Sequence, residues 1–231
     1  MVASQKKQVP KLSLYDLFQR LYGHFGPCHW WPGETPFEVI VGAILTQNTA
    51  WKNVESAIDN LKTKDVLEPE RLEKLSQEEL ALLIRSSGYY NQKARKIKSF
   101  LEYYKSKYSY KIGDMAKILL EELREDLLQI YGIGEETADS ILLYALNKPT
   151  FVVDAYTNRI LSRIGYTTDT ISYKKLKRFC EESLPQDTKL YNEFHALFVL
   201  LGKSICKSTP LCIECPVHND CLFFISKNKR K

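Results

Sequence analysis

Apolar residues recur at helical spacing along nearly the whole chain. In segment 14–21 they occupy positions i, i+3, i+4 and i+7, directly behind Ser13, a residue type that caps helix N-termini. No sustained run alternates apolar and polar residues with the period of two that a half-buried strand requires, and segment 151–153 is too short to seed a sheet. The pattern therefore predicts an all-α protein.

Local signals set the other helix boundaries. A capping box from Thr35 to Glu38, with proline at the first helical position, predicts a helix that runs to about Thr46. A second capping box starts at Ser76 and predicts another helix, with Gly88 positioned to end it. The remaining predicted helices cover residues 51–61, 91–107, 121–130, 135–146, 154–164, 173–184 and 191–202.

Composition narrows the class of protein. The 231 residues, 44% of them apolar and 26% charged, suit one large or two small globular domains, and a net charge of +5 permits a polyanionic partner without requiring one. The longest apolar stretch, 37–45, is too short to span a membrane. Segment 1–11 is polar and basic without a secretory signal, so we expect a cytoplasmic, nucleoid-associated protein in which Cys28 and Cys180 are free thiols.

Four cysteines near the C-terminus form a metal-binding pattern. They are spaced Cys206-x5-Cys212-x2-Cys215-x5-Cys221, so four thiolates lie within sixteen residues. Zinc ribbons usually use two tight Cys-x2-Cys pairs, and only one such pair occurs here. The wide flanking gaps favour a [4Fe-4S] cluster over zinc, with disulfides as a third alternative.

Residues 127–146 predict two helices joined by a tight turn. Between them stand Gly132, Ile133 and Gly134, where the glycines permit close backbone approach and the isoleucine can plug into a core. The N-terminus of the second helix offers a seat for a phosphate group, and a purely structural turn is the alternative. Twenty residues beyond Gly134, Asp154 follows a short extended run, where an aspartate also serves as a helix N-cap.

Turn, aspartate and cysteine loop in this order resemble the helix-hairpin-helix DNA glycosylases of the endonuclease III type, from about residue 15 to 221. The resemblance implies a six-helix barrel at 37–148 with the hairpin at about 127–146. It also implies an iron–sulfur domain made of 1–36 and 149–231, with the cluster loop at 206–221 and the active site in the cleft between the domains. Asp154 would be catalytic, the four cysteines would hold the cluster, and the partner of this monomer would be double-stranded DNA containing damaged bases.

One position indicates a change of chemistry within that family. Endonuclease III proper has a lysine two residues after the second glycine of the turn, and its amine forms a Schiff base with the sugar. This chain has Glu136 there, and a carboxylate cannot form an imine. The sequence is therefore similar to the monofunctional branch, in which water is the nucleophile. Glu136 is either a polar group of the base pocket or, as we favour, an acid that suits the helix dipole.

Further motifs resemble the 3-methyladenine DNA glycosylases of the endonuclease III type. They are HWWP at 29–32, LTQNT at 45–49, SGYYNQKA at 87–94 and GEETAD at 134–139, although the well-known form lacks cluster cysteines. The resemblance implies that Gln47 fills the space of a flipped base, that Tyr89 wedges into the opposite strand, and that Lys203 lies beside phosphates. Core packing is the alternative for Tyr89, and a solvated surface lysine is the alternative for Lys203. The resemblance also implies an aromatic pocket that holds a cationic alkylated purine, formed by Trp30, Trp31, Pro32 and Trp51.

Three other functions stay open. A mismatch or oxidised-base glycosylase, or an endonuclease III-like enzyme, is the nearest, since adenine- and thymine-releasing relatives also lack the lysine. A non-catalytic lesion-binding protein is disfavoured by the intact Asp154. A redox protein is disfavoured because the Gly132–Gly134 turn lies between helices rather than after a strand.

Overall fold

The computed structural model describes residues 12–28, 30–31 and 33–228. Within these ranges every regular element is helical and no strand occurs, which confirms the all-α prediction. Pro32, one of the predicted pocket residues, lies outside the described residues. The α-helices are α1 Leu14–Phe25, α2 Pro36–Leu45, α3 Trp51–Thr63, α4 Pro69–Lys74, α5 Gln77–Leu83, α6 Tyr90–Tyr108, α7 Ile112–Lys117, α8 Leu120–Gln129, α9 Glu135–Ser140, α10 Ala155–Ile164, α11 Tyr173–Ser183, α12 Thr188–Ser204 and α13 Leu222–Asn228.

The predicted caps are present at the starts of four helices, α1, α2, α5 and α10. Ser13 and Ser76 form the reciprocal capping boxes at the starts of α1 and α5. At α2 the box is only half formed: Thr35 accepts the backbone N–H of Glu38, while the Glu38 carboxylate accepts from the N–H of Glu34 and pairs with Lys62. The reciprocal prediction was wrong there because a tertiary ion pair takes the carboxylate.

Two other predicted boundaries differ from the structure. Gly88 does not follow α5 directly, because a 3-10 turn at Arg85–Ser87 intervenes. The predicted helix 135–146 is α-helical only to Ser140, and Ile141–Ala145 forms a π-helical turn. Such a wider turn commonly marks a functional site.

The described residues fall into two compact units. One is formed within Met1–Trp30 and Pro149–Lys231, and the other is Trp31–Lys148. In the second unit α2 is the central element, because all nine residues from Phe37 to Leu45 are buried and the helix contacts α3, α6 and α9. In the first unit α12 is the central element, contacting α1 and α10. Burial of such apolar faces is the main stabilising term in each unit.

Candidate active site and cysteine cavity

Asp154 is held rigidly at the start of α10. Its Oδ1 accepts two hydrogen bonds from Thr157, one from the backbone N–H at 2.7 Å and one from the hydroxyl at 2.8 Å. The side chain is 12% exposed, so its carboxylate is largely desolvated while still reachable. The cap fixes one oxygen and leaves Oδ2 for chemistry, so capping and a catalytic role are compatible.

A buried histidine faces the second carboxylate oxygen. His195 Nε2 lies 3.7 Å from Asp154 Oδ2, and the imidazole comes from α12. Burial lowers the pKa of His195, and the nearby Asp154 charge opposes that shift only in part. His195 is therefore neutral at neutral pH. Sequence reasoning missed this residue because a lone histidine on an apolar helix face is usually a core residue.

The structural need for glycine differs between the two glycines of the hairpin turn. Gly132 has φ +79°, and a Cβ there would collide with the aliphatic part of the Lys96 side chain. Gly134 is extended, and a Cβ added to it would meet no other atom within 4 Å. Ile133 is 5% exposed and belongs to the core cluster of its unit, as the sequence predicted. The protein's own packing thus explains Gly132 and Ile133 but not Gly134.

A buried ion pair locks the two hairpin helices together. Arg124 of α8 binds both oxygens of Asp139 of α9, at 2.7 and 3.0 Å, and the Asp139 side chain is fully buried. Arg124 also lies 3.6 Å from Glu135, so its charge offsets one of the two acids in the first turn of α9. Glu136 is exposed on that turn.

The two residues predicted to enter the DNA duplex have different surroundings. Gln47 is half-buried and its amide donates to Gly132 O at 3.0 Å and to Thr137 Oγ1 at 2.9 Å, while its carbonyl accepts from Lys96. Tyr89 is 69% exposed and has left-handed backbone angles, φ 45° and ψ 31°. Core packing is therefore excluded for Tyr89, whereas Gln47 connects its loop to the hairpin turn.

An aromatic cavity of about 320 Å³ lies within the second unit. The Trp31 and Trp51 rings meet edge to face with centroids 4.8 Å apart, and Tyr144 packs on Trp31 at 5.1 Å. The Trp51 indole N–H donates to Glu55 at 2.8 Å. The cavity is lined by Trp31, Glu38, Gly42, Trp51, Glu55, Ile58, Asp59 and Lys62. Trp30 belongs to the other unit. The carboxylates of Glu38, Glu55 and Asp59 were not among the predicted pocket residues. The spacing of four residues between Glu55 and Asp59 along α3 was the available signal in the sequence.

The four predicted metal ligands converge on one cavity. Cys206, Cys212, Cys215 and Cys221 line it together with Arg163 and His218. Burial, together with the nearby thiols, raises the pKa of Cys215 to about 11 and that of Cys221 above its ordinary value. Among the described residues no three such side chains stand close enough to hold a single metal ion. The donor set is therefore four soft sulfurs that line one shared cavity.

Two arginines join this loop to the helix that carries Asp154. Arg159 donates to the carbonyls of Gly202 and Cys206, each at 3.0 Å. Arg163, one turn further along α10, donates to Lys207 O at 2.6 Å and lies 3.4 Å from Cys206 Sγ. Lys203 is exposed on α12. The cysteine loop thus braces α10 at a distance from its N-terminal aspartate.

The chain is similar in sequence to known DNA repair proteins. Residues 41–186 match the family model described as "HhH-GPD superfamily base excision DNA repair protein". A Methanocaldococcus jannaschii protein named "Putative DNA repair glycosylase" is 45% identical over 211 residues, 90% of this chain and 96% of the relative. Endonuclease III of Thermotoga maritima is 32% identical over 195 residues, 84% of this chain and 86% of the relative.

Solved structures match as well. The H. pylori 3-methyladenine DNA glycosylase MagIII, bound to 1,N6-ethenoadenine, has a TM-score of 0.73 and 28% identity, and the match covers 83% of this chain and 98% of that one. A non-covalent endonuclease III–DNA complex has a TM-score of 0.80 at 22% identity and covers 94% and 97% of the two chains, a likeness of fold. No helix in the described part of the chain is long and apolar enough to cross a membrane.

Proposed function

Since the chain belongs to the HhH-GPD superfamily of base excision DNA repair proteins, we propose that it is a monofunctional DNA glycosylase for alkylated purines such as 3-methyladenine. A damaged base in a duplex is out of reach of an enzyme until it is flipped from the stack. The observation that carries the choice of base is the cavity in which two indole rings and three carboxylates face the same space.

The cavity suits a positively charged base. A purine alkylated at N3 or N7 is cationic, and an indole face attracts a cation by roughly 1–2 kcal/mol when water is excluded. Glu38 and Lys62 compensate each other at 2.9 Å, which leaves Glu55 and Asp59 as excess negative charge. A neutral purine lacks the charge–charge attraction to these carboxylates, so the cavity favours the charged lesion.

Asp154 supplies the charge that the reaction needs. As the glycosidic bond breaks, the sugar becomes cationic, and a fixed, largely desolvated carboxylate stabilises that charge. An alkylated purine leaves readily, so little acid catalysis is required. Asp154 Oδ2 then orients or deprotonates the attacking water, with Oδ1 kept by Thr157.

Water is the nucleophile in this proposal because no lysine stands at position 136. One observation favours the endonuclease III-like alternative: burial lowers the pKa of Lys93 to about 8, a property of lysines that form Schiff bases. Against it, Lys93 is 2% exposed and its amine donates to two backbone carbonyls.

The DNA contacts are proposed from the resemblance of these motifs to the family. The turn Gly132–Gly134 takes the DNA backbone, and the freedom of Gly134 from any packing demand supports a close approach there. Gln47 and Tyr89 enter the duplex, and Lys203 adds a phosphate contact. The protein acts as a monomer.

A [4Fe-4S] cluster is the cofactor that the cysteine cavity fits better than zinc. Structural zinc sites usually use two tight Cys-x2-Cys pairs, whereas only one such pair, Cys212 and Cys215, occurs among these four thiols. Cys206, Cys212, Cys215 and Cys221 would hold the cluster as thiolates. Arg159 and Arg163 then hold the loop against α10, so its role is structural.

The test of catalysis is base release from methylated duplex DNA. We expect free methylated purines from the wild-type protein and a rate reduced by about 10²–10³ in Asp154→Asn, because the amide still caps α10 but carries no charge. Duplex binding by gel shift should be unchanged. An Asp154→Asn protein that retains most of its activity would remove Asp154 from the mechanism.

The test of selectivity compares a charged with a neutral lesion. Glu55→Gln combined with Asp59→Asn should lower kcat/KM for 7-methylguanine roughly tenfold, since two nearby charges are lost. Release of neutral hypoxanthine should change by less than about twofold. Equal losses on both bases would contradict the cationic assignment.

A further inference from the structure

Lys93 is a buried lysine that the mechanism does not use. It lies in the first turns of α6, is 2% exposed, and donates hydrogen bonds to Leu45 O at 2.8 Å and to Ser87 O at 2.6 Å. Both carbonyls end helical segments, α2 and the 3-10 turn Arg85–Ser87. Such terminal carbonyls lack helical partners and interact favourably with a cation.

The two carbonyls belong to residues at the start of the two loops that enter DNA in the proposed function. Gln47 follows Leu45 by two residues, and Tyr89 follows Ser87 by two residues. Tyr89 has a left-handed backbone with φ 45°, and Asn48, next to Gln47, has φ 53°. Neither is glycine, so each conformation is strained and persists only where neighbouring atoms fix it. One ammonium group fixes both loops from the same side.

Stability alone does not account for a lysine here. The charged group near the Lys93 amine is Lys96, which lies on the same helix. Burial and the charge of Lys96 both lower the pKa of Lys93, so both disfavour its charged form. A buried charge without a carboxylate partner is costly, and what offsets this cost is the pair of hydrogen bonds to two helix-terminal carbonyls. The benefit therefore lies in what the two hydrogen bonds position.

We propose that Lys93 is a positioning residue that presets Gln47 and Tyr89, as one unit, for insertion into the DNA duplex. The inference rests on the proposed function only for the claim that these two residues enter DNA. It predicts that losing the amine uncouples the loops while the hairpin still binds the DNA backbone.

The chain contains a matched control for this test. Lys98, also on α6, donates to the carbonyls of Leu72, Glu73 and Leu75. It caps a different helix end, away from the residues proposed to enter DNA. Lys98→Met removes the same kind of carbonyl cap from the same unit, and thus measures the effect of lost stability alone.

The experiment uses a duplex with a non-cleavable abasic analogue opposite 2-aminopurine, whose fluorescence rises when it is unstacked. We expect Lys93→Met to lose most of the fluorescence rise seen with wild type, with affinity for undamaged duplex within about twofold, since the phosphate contacts remain. Lys98→Met should keep both. Equal behaviour of the two variants, or a full fluorescence rise with Lys93→Met, would overturn the proposal.

Two further outcomes are informative. If Lys93→Met does not fold, Lys93→Gln is the second variant, because its side chain is shorter and carries two uncharged N–H donors. We expect the Lys93→Gln protein to fold and to lose at least half of the fluorescence rise. A complete rise with Lys93→Gln would overturn the proposal. Since no base is excised in this assay, absence of alkylpurine release leaves its result valid. A wild-type protein without any fluorescence rise would instead refute the DNA roles of Gln47 and Tyr89, and with them this inference.

Discussion

The hairpin turn and the cysteine loop are both tight connections without regular secondary structure along their whole length, but different contacts stabilise them. The hairpin is closed by the protein's own atoms, with Ile133 in the core and the Arg124–Asp139 pair beneath it. The loop from Cys206 to Cys221 has only two 3-10 turns, with Ile213 76% exposed and four thiols around a cavity. The difference teaches that the hairpin turn is closed by core packing and an ion pair, whereas the cysteine loop has little regular structure and its four thiols line one cavity.

The largest effect should come from removing a cysteine ligand. Cys215→Ser should abolish stoichiometric iron and lower the free energy of unfolding by on the order of 5 kcal/mol, since metal binding contributes to folding. Metal analysis and thermal unfolding measure both. Cys28→Ser, outside the loop, is the control and should keep its iron. Full iron content in Cys215→Ser would break the comparison.

The next effect should come from the hairpin itself. Arg124→Met removes the bidentate ion pair of the buried Asp139 carboxylate and should cost about 3–5 kcal/mol in urea unfolding. Combining it with Asp139→Leu should recover much of the loss, because both charges are then gone. Iron content should stay unchanged in both proteins, and its loss would show that the hairpin and the loop do not stabilise themselves independently.

A smaller, pH-dependent effect should separate α12, the helix that precedes the cysteine loop, from the hairpin. Burial holds the pKa of His195 below its ordinary value of 6.5. Below pH 6.5 the imidazole is therefore protonated in the unfolded chain before it is protonated in the folded protein. Stability should thus fall on acidification from about pH 6.5, by at most ~1.4 kcal/mol per pH unit. Hydrogen exchange should report this on α12, while residues 120–146 contain no histidine. His195→Gln should flatten the dependence, and an unchanged slope would contradict it.

Local signals in the sequence predicted much of this fold. Ser13 and Ser76 set helix starts because their capping bonds reach only three residues along the chain. The short helices α4 and α7 were not predicted, since six residues carry too little periodicity. Glu38 shows the opposite limit: its partner Lys62 lies far along the chain, and no local motif reports such a pair.

The candidate site divides in the same way. The four cysteines stand out by their spacing, and Asp154 stands out by its order between the hairpin turn and the cysteine loop; the roles given to them stay predictions. His195, Arg163 and Lys93 could not be predicted, because each acts through a distant partner, Asp154 Oδ2, Cys206 or the carbonyls of Leu45 and Ser87. Residues that position other groups are defined by tertiary contacts, which spacing alone does not encode.

The central claim is that water, and not a lysine, attacks the sugar. The most direct measurement is intact-protein mass after incubation with a duplex bearing one 7-methylguanine in the presence of borohydride, with strand breaks scored before and after alkali. We predict release of the base, breaks only after alkali, and no covalent protein–DNA adduct. A borohydride-trapped adduct with breaks before alkali would contradict the account and would identify a lysine, with Lys93 as the first to map.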